Sequence, residues 1–499
     1  MTNLRVWKTA CTIFLLLAAT ASPAQVFTTL VNFNGPDGAG SGPNGSLVQG
    51  ADGNVYETTL VGGFKNDGAI IEVTPDGRVT TLHSFCRQRG CPDGFDPAVG
   101  LARAADGNFY GTTPLGGGST QCSEGCGTVF KVDPRGTLTT LHSFRNDDGS
   151  YADGVLTEAT DGNFYGTTSN GGDLKCIPPY GCGTVFKITP QGRLTTLHRF
   201  HASDGEFPNG KLVQATDGNF YGTTYAGGGT TYGEPGCRGN NEIGCGTIFR
   251  ITPTGTLTTL HRFNNADGAY PSAGLVQASD GNLYGTTSSV SGSPCHVNLG
   301  CGTVFKMTLQ GVLTTLYRFS IAEGSQPNGE LIEATDGNFY GTTLYGGDLA
   351  CNPPYDYGCG TVFQITTAGS VTILHVFDST DGASPHGALL QATNGTIYGT
   401  TGYGGLDLYD GTLFSLNMGL GPFVSLVRNS GKVGHTGGIL GQGFIGTTSV
   451  SLNEVPANFT VVSDTYLKAT VPVGATTGYV TVTTPTGTLT SNVPFEVIP

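Results

Sequence analysis

The chain has little charge, almost no tryptophan and no basic patch. Charged residues make up 12% of its 499 residues, with 23 Lys and Arg against 37 Asp and Glu, which gives a net charge of −14. Phosphate binding draws on clustered basic residues, so this balance argues against nucleic acid as a partner. The one tryptophan, Trp7, stands close to the N-terminus. Its isolation weakens any interpretation that needs tryptophan for stacking on sugars.

Long apolar runs and helix signals are also missing. The single apolar stretch runs from about Thr12 to Ala19 and is much shorter than the ~20 residues of a membrane-spanning helix. Two basic residues precede it and small residues follow it, which is typical of an export signal with cleavage after Ala21 or Ala24. We therefore predict a signal peptide over residues 1–24. After its removal we expect no membrane insertion and a secreted, periplasmic or cell-surface location.

Cysteine is confined to close pairs once Cys11 of the export signal is set aside. The second cysteine of five pairs stands inside G-C-G-T-[VI]-F, while the spacing to the first varies. Zinc would need four ligands from two such pairs, so local disulfides explain the pattern better than a metal. We predict neither a metal nor a cofactor. The predicted disulfides are Cys86 with Cys91, Cys122 with Cys126, Cys176 with Cys182, Cys237 with Cys245, Cys295 with Cys301, and Cys351 with Cys359.

One octapeptide, DGNFYGTT, recurs along the chain. It begins at Asp106, Asp161, Asp217 and Asp336, and variants begin at Asp52, Asp280 and Asn394. The 81 glycines follow no three-residue period, which excludes collagen and is typical of a turn-rich β-protein. A phrase repeated seven times predicts a tandem-repeat architecture.

Each repeat predicts four short strands. In the fourth copy, residues 210–263, the β-rich runs are LVQA, FYGTT, TIFRIT and LTTLHRF. T-D-G-N separates the first two runs and P-T-G-T the last two, and both are tight-turn signals. A long glycine-rich loop with the cysteines separates the second and third runs. DGNFYGTT is therefore predicted to be the turn and second strand of a four-stranded unit.

The two ends of the repeat region predict a closed ring rather than a solenoid. Residues 26–33, VFTTLVNF, copy the fourth-strand phrase but precede the first unit, whereas the seventh unit ends after its third run, GTLFSLN. A strand missing at one end and supplied at the other would close a ring and remove both exposed edges. We predict an all-β fold in which residues 25–419 form a seven-bladed β-propeller closed by the N-terminal strand.

These motifs resemble those of the choice-of-anchor tandem repeat GloVer-containing proteins of bacteria, from about Val26 to Met418. The phrases D-G-N-x-Y-G-T-T and G-T-V-F-K-x-T-P-x-G-x-L-T-T-L-H-x-F carry the resemblance. It implies an exported repeat protein and no assigned reaction. Residues 420–499 resemble an IPT/TIG domain through the phrases S-G-K-V-G, I-L-G-Q-G-F, A-T-V-P and V-T-V-T-T-P. That resemblance implies an immunoglobulin-like β-sandwich that binds or spaces rather than catalyses.

Histidine recurs once per repeat, which first suggests chemistry. Strand alternation places each histidine beside apolar neighbours, and one histidine per blade cannot gather around one metal. We therefore predict packing between blades, and no catalytic residue. The histidines are His83, His142, His198, His261 and His375, with Tyr317 at the equivalent position of one repeat.

An acidic residue precedes glycine in every crossing between repeats. It can cap its own turn, or the ring of carboxylates can attract cations or a basic partner. The long loops are predicted on the same face and are rich in tyrosines, which can bind a glycan or protein or merely cover the disulfides. The acidic residues are Asp37, Asp93, Asp148, Asp204, Asp267, Glu323 and Asp381. The tyrosines are Tyr180, Tyr225, Tyr232, Tyr345, Tyr355, Tyr357 and Tyr403.

These features favour an exported, monomeric, non-catalytic protein that binds, adheres or acts as a scaffold through the long-loop face, with an extracellular glycan or protein as partner. One alternative is a carbohydrate-active enzyme, a polysaccharide lyase or glycosidase, which would need two carboxylates in one cleft. The other is a purely structural envelope protein.

Overall fold

The computed structural model describes residues 25–33, 40–97, 99–229, 237, 244–290, 301–351, 357–407 and 409–498. This part of the chain contains strands, turns and bends but no helix, and hence no helix long and apolar enough to cross a membrane. The predicted signal peptide, residues 1–24, lies outside it. The all-β prediction is confirmed for the described residues.

The repeats form antiparallel sheets that match the four predicted runs. Among the described residues there are seven such sheets between residues 26 and 417. This arrangement is consistent with a propeller-like repeat fold. The first strands are Val48–Gln49, Ala102–Arg103, Thr157–Glu158, Val213–Gln214, Val276–Gln277, Ile332–Glu333 and Leu390–Gln391. The second strands are Val55–Val61, Phe109–Thr113, Phe164–Thr168, Phe220–Thr224, Leu283–Thr287, Phe339–Tyr345 and Ile397–Thr401.

The remaining strands of the repeats are longer than the first strands. The third strands are Ala69–Val73, Thr128–Val132, Thr184–Ile188, Thr247–Ile251, Thr303–Met307, Thr361–Ile365 and Thr412–Asn417. The fourth strands are Val79–Ser84, Leu138–Ser143, Leu194–Arg199, Leu257–Arg262, Leu313–Arg318 and Val371–Val376. Two crossings add the short strands Ser41–Pro43 and Ser325–Pro327.

The N-terminal strand, Val26–Asn32, lies in the sheet of the last repeat. It pairs antiparallel with Thr412–Asn417, as the sequence predicts. Its Phe27 ring stacks on His375 with centroids 3.6 Å apart, and Val31 is buried against the first and last repeats. The two ends of the repeat region are therefore joined.

The aspartate of DGNFYGTT organises the turn and the strand that follows. In repeat 4, Asp217 Oδ1 accepts a hydrogen bond from the Asn219 amide at 3.0 Å, and Oδ2 accepts one from the Tyr221 hydroxyl at 2.8 Å. Burial, reinforced by the Asp217 carboxylate, raises the pKa of Tyr221 to about 12, so the hydroxyl remains a donor. The same two bonds recur at Asp52, Asp106, Asp161, Asp280 and Asp336.

The two threonines that end the phrase connect strands and repeats. Thr223 Oγ1 donates to the Ala273 carbonyl of the next repeat at 2.9 Å. Thr224 Oγ1 lies 2.9 Å from Thr247 Oγ1 on the third strand of its own sheet, and both residues are buried. A buried hydroxyl needs a partner, and in repeat 4 both threonines have one. The octapeptide therefore makes hydrogen bonds both within its own repeat and to the next repeat.

The C-terminal unit, residues 420–498, has its own core around Phe444, Leu467 and Val482. Two four-stranded antiparallel sheets enclose it, and one short parallel pair completes it. Its strands are Ser425–Leu426, Ser430–Gly431, Thr436–Leu440, Ser449–Leu452, Val455–Pro456, Phe459–Val461, Tyr466–Thr470, Val480–Thr484, Gly487–Thr490 and Glu496–Val497.

We predict that Gly222→Ala destabilises the protein by roughly 1–3 kcal/mol, because overpacking a dense core forces its neighbours apart. A methyl group on Gly222 would lie 2.7 Å from both Phe249 Cζ and Leu212 Cδ2. Repeat 1 carries Glu57 in place of this glycine and has the smaller Ile71 opposite it. Adding Phe249→Ile should therefore offset part of the loss in a double-mutant cycle measured by urea denaturation. Strictly additive free energies of unfolding would contradict the contact.

We also predict that a chain beginning at Asn34 is less stable than one beginning at Gln25 by at least about 3 kcal/mol, because it loses the strand that buries Val31 and Phe33. Thermal unfolding followed by circular dichroism measures the difference. The chain that begins at Gln25 is the control and should melt like the full-length protein. Equal melting temperatures for the two shortened chains would mean that pairing with the last repeat contributes nothing.

Candidate functional site

The acidic residues of the crossings cap turns and bind the recurrent histidines. Asp148 Oδ1 accepts the Arg145 amide at 2.8 Å, and its Oδ2 lies 3.0 Å from His142 Nε2. Equivalent pairs join His83 with Asp93, His198 with Asp204, His261 with Asp267, and His375 with Asp381, at 2.7 to 3.1 Å. The sequence analysis treated these two sets as separate, whereas the structure joins them in one contact.

Repeat 6 keeps this contact with two substitutions. Tyr317 replaces histidine and hydrogen-bonds the carboxylate of Glu323. Glu323 also accepts the Ser320 amide at 3.1 Å, so the longer side chain caps its turn as aspartate does. Burial alone would raise the pKa of Asp267, but hydrogen bonds from His261 and the Asn264 amide outweigh it and hold the pKa below its ordinary value. These carboxylates are already partnered, which favours the turn-cap interpretation; Asp37 lies outside the described residues.

The histidines do not simply pack between blades. Each ring makes an edge contact with the phenylalanine two residues later in its own repeat, as in His142 with Phe144 at 5.1 Å. The Nε2 atom of each ring is hydrogen-bonded to the aspartate carboxylate of the following crossing. The sequence predicted packing between blades, as His375 packs on Phe27 of the neighbouring sheet, but it did not include this hydrogen bond. The absence of a histidine in repeat 6 is compensated by the Tyr317 hydroxyl.

The described members of the predicted tyrosine set differ in exposure and contacts. Tyr180 is 61% exposed, and Tyr357 and Tyr403 are partly exposed. Tyr225 instead packs on Tyr270 at 5.1 Å, while Tyr345 lies in a strand and contacts Tyr357. Tyr232 and Tyr355 lie outside the described residues.

Five of the six predicted disulfides are present: Cys86–Cys91, Cys122–Cys126, Cys176–Cys182, Cys237–Cys245 and Cys351–Cys359. Cys301 is also disulfide-bonded, and its predicted partner Cys295 lies outside the described residues. Within the described ranges, groups of side chains that could hold a metal include only Asp67 with Cys86 and Cys91, and Cys176 and Cys182 with Glu206. Both contain a disulfide, whose sulfurs are not thiolates.

A polar cavity of about 260 Å³ lies where all seven repeats meet. We call it the polar cavity. The segments that line it lie between each crossing and the first strand that follows. The crossings pair with residues just after the second strands, as in Ser150 with Asn170, so the polar cavity lies toward the long-loop face. Its lining includes Asn44, Gly45, Ser46, Val99, Gly100, Asp153, Val155, Asn209, Gly210, Lys211, Ser272, Ala273, Gly274, Asn328, Gly329, Glu330, His386, Gly387 and Ala388.

Glycines of successive repeats form the wall of the polar cavity. A methyl group on Gly45 would lie 2.9 Å from the Gly100 amide, and one on Gly329 would lie 2.7 Å from the Gly387 carbonyl. A methyl group on Gly387 would overlap the Gly45 carbonyl oxygen, so repeats 7 and 1 also approach closely here. Any side chain at these positions would push neighbouring repeats apart.

The residue before each of these glycines varies among Asn, Val, Asp, Ala and His. Two of these side chains have strongly displaced pKa values. Burial raises the pKa of Asp153 to about 6, although hydrogen bonds from Ser169 act in the opposite direction. Burial also lowers the pKa of His386 to about 4, so its imidazole is neutral at pH 7. Ser169 Oγ is 3.4 Å from Asp153 Oδ2.

Lys211 and Glu330 lie at the inner end of the polar cavity. Both also line a second cavity of about 520 Å³, which follows the first strands toward the hairpin turns. Burial raises the pKa of Glu330, and the positive charge of Lys211 partly offsets this. The charged pair thus marks the boundary between the two cavities.

The C-terminal unit covers the second cavity at the hairpin end, with Leu426 and Leu440 among the lining residues. Thr465 Oγ1 donates to the Ala51 carbonyl at 2.7 Å, and the Arg103 guanidinium lies 5.2 Å from the centre of the Tyr466 ring. The other six repeats carry Gln or Glu at the position of Arg103, and each of these side chains accepts an amide of a neighbouring repeat, as Gln214 does from Thr160. Repeat 2 thus has Arg103 in place of Gln or Glu at a point where it contacts the C-terminal unit.

Sequence reasoning missed the polar cavity, although a signal was present. The phrase before each first strand reads P-N-G, V-G, D-G, P-N-G, A-G, P-N-G or H-G, so glycine is constant while its predecessor changes. In a repeat protein, a variable position beside a constant one is where a specific site can arise. Side-chain direction toward the centre was not evident from a two-residue strand.

The sheets and the cavity at their meeting point define an all-β repeat protein with a propeller-like fold. The chain belongs to the Gloeobacter/Verrucomicrobia repeat family, whose sequence profile matches residues 8–235 and 237–414. This confirms the resemblance found in the repeats. No curated protein matches the chain by sequence.

The chain is similar to several solved structures at low sequence identity. A fungal alcohol oxidase of the AA5 family, in complex with copper, is 12% identical, with 95% of this chain and 99% of that chain covered and a TM-score of 0.52. A Bacteroides thetaiotaomicron protein of unknown function is 14% identical, with 79% and 76% covered and a TM-score of 0.41. A Thermus thermophilus oxidoreductase, described as a glucose dehydrogenase, is 15% identical, with 79% and 100% covered and a TM-score of 0.36.

We predict that Asp153→Asn stabilises the protein at pH 7.5 by up to about 3 kcal/mol and changes little at pH 4. The folded-state pKa of about 6 exceeds the unfolded value of ~3.9, so the folded state binds the proton more tightly and loses stability as pH rises between these values. Asparagine cannot ionise and escapes this loss. Urea denaturation at both pH values measures it, with the exposed Asp147→Asn as control. An equal effect of Asp153→Asn at the two pH values would contradict the buried ionised carboxylate.

Proposed function

We propose that the protein is an exported, monomeric binding protein that holds a small polar ligand in the polar cavity without transforming it. The repeats, residues 25–419, act as a closed seven-bladed propeller, and residues 420–499 as an immunoglobulin-like domain of the IPT/TIG type. The ligand enters from the long-loop face, because the C-terminal unit covers the hairpin end. Residues 1–24 direct export as a signal peptide.

Contacts between the first and last repeats support the closed ring. The N-terminal strand pairs with the third strand of repeat 7, and the Thr393 amide of repeat 7 donates to Gln49 of repeat 1 at 3.0 Å. Equivalent bonds join other successive repeats, as between Thr216 and Gln277 at 2.9 Å. The junction of the two ends therefore uses the same bond as other junctions.

One observation carries the proposal: the polar cavity is lined by the position at which otherwise similar repeats differ. Turn caps, glycines and strand cores recur from repeat to repeat because they maintain the fold. Asn44, Asp153, Asn209 and His386 occupy one equivalent position and give the centre a distinct polar lining. A pocket with a few convergent polar groups and displaced pKa values is typical of a ligand site.

Five disulfides support an oxidising, exported environment. Four of these disulfides lie in long loops between second and third strands, which indicates that those loops are stabilised connections. Those loops surround the entrance, so a larger glycan or protein can contact them while one of its groups occupies the cavity.

A carbohydrate-active enzyme is the second candidate, and one observation favours it. Asp153 and Glu330 line the same cavity, and burial raises the pKa of both. Two carboxylates in one cleft are what glycoside cleavage requires. Lys211 acts directly on Glu330, however, and the lining residues include no aromatic side chain to orient a sugar ring.

We predict that Ser272→Phe abolishes ligand binding without unfolding the protein, because Ser272 lines the polar cavity and its hydroxyl has no hydrogen-bond partner among the described residues. A library of sugars, amino acids, amines and organic acids is screened by thermal shift on the secreted chain, and ligands found are titrated by calorimetry. Ser203→Phe, at an exposed crossing position, is the matched control and should bind normally.

Binding that persists in Ser272→Phe, or a library without any ligand, would overturn the polar cavity as the site. Turnover of a glycoside that disappears in both Asp153→Asn and Glu330→Gln would instead establish the enzyme.

A further inference from the structure

Three residues that line the polar cavity each carry a buried, acceptor-only side-chain oxygen that receives no hydrogen bond from any described group. These oxygens are Asn44 Oδ1, Asp153 Oδ1 and Asn209 Oδ1, from repeats 1, 3 and 4. A buried acceptor without a donor is unfavourable, and native proteins keep few of them. Three such oxygens around one cavity indicate a ligand that is rich in hydrogen-bond donors.

The charges of the lining are also unbalanced. Lys211 lies close enough to Glu330 for its positive charge to reduce the rise that burial causes in the Glu330 pKa, so these two opposite charges offset each other. His386 is neutral at pH 7. No cation is among the groups that shift the pKa of Asp153. The lining therefore carries an excess of one negative charge, located on Asp153.

We propose that the polar cavity recognises a small polar ligand through a primary ammonium group, with Asp153 as its counter-ion and Asn44 and Asn209 as further acceptors. This inference rests on the proposed function, because it assigns a ligand class to the same cavity. A primary ammonium carries one positive charge, which balances that of Asp153, and three N–H donors, one for each of the three acceptor-only oxygens. Hydrogen bonds between charged partners are the stronger kind.

Two other ligand classes fit these observations less well. A neutral polyol supplies donors but leaves the Asp153 charge uncompensated in a buried position. A metal ion requires ligand atoms that are grouped closely, and within the described ranges such groups occur at two disulfides and not in this cavity. A primary ammonium group neutralises the Asp153 charge and also donates hydrogen bonds to the unpartnered acceptor oxygens.

Calorimetry with paired probes tests the ligand class on the secreted chain. Ethanolamine is compared with ethylene glycol, and D-glucosamine with D-glucose and N-acetyl-D-glucosamine. We expect each amine to bind at least about tenfold more tightly than its neutral partners at pH 7.5. Its affinity should fall as pH drops below about 6, because Asp153 is then protonated. Glu330, Lys211 and His386 also line the cavity, so the pH profile of Asp153→Asn is the reference.

Asp153→Asn should weaken the amines by about tenfold or more, and should weaken the neutral probes much less than the amines. Asp147→Asn removes one carboxylate at an exposed position of the preceding crossing and is the matched control. Asn209→Asp adds a carboxylate to the lining and should strengthen amine binding. This second variant decides the matter if Asp153→Asn does not fold.

Amine affinities equal to those of the neutral partners, or unchanged in both Asp153→Asn and Asn209→Asp, would overturn the ammonium assignment. The proposed function would still stand if neutral ligands bind the wild type and fail to bind Ser272→Phe. If no probe and no library member binds in the polar cavity, both proposals fall together.

Discussion

Close backbone contact between glycines of successive repeats is the constraint on which the centre of the molecule depends. Gly45 lies against Gly100, Gly329 against Gly387, and Gly387 against Gly45. Because no side chain fits between them, the repeats approach to a fixed distance, and the polar cavity takes its size from that distance. The residue before each glycine then lines the cavity and can change without altering the wall. The same constraint thus produces a constant architecture and a variable lining.

The sequence predicted the features that arise from local chemistry. A recurrent T-D-G-N turn, alternating strands and close cysteine pairs predicted the sheets and the disulfides, because each involves residues only a few positions apart. The pairing of residues 26–33 with the last repeat was also predictable, since the fourth-strand phrase was present at one end and missing at the other. Comparing the repeats with one another therefore predicted a contact between residues that are far apart in the sequence.

Contacts between different segments of one repeat were harder to predict. His142 and Asp148 belong to a strand and the following crossing, and their separation of six residues differs from the ten between His83 and Asp93. That difference comes from the extra disulfide loop of Cys86 and Cys91, which obscures the shared spacing. The polar cavity was harder still, because its lining comes from every repeat and its first strands are too short to show which side chains face the centre.

The carboxylates of Asp267 and Asp153 differ in the direction of their pKa shifts, and this difference helps to separate a structural role from a functional one. Asp267 receives hydrogen bonds from His261 and a backbone amide, and these outweigh its burial and lower its pKa. The hydrogen bonds that Asp153 receives, including a long one from the Ser169 hydroxyl at 3.4 Å, do not outweigh its burial, and its pKa is raised to about 6, so its charge weakens the fold at neutral pH. A group that only maintains the fold is expected to resemble the first case. A destabilising, partly unpartnered charge at the meeting point of seven repeats is better explained by a ligand that completes it.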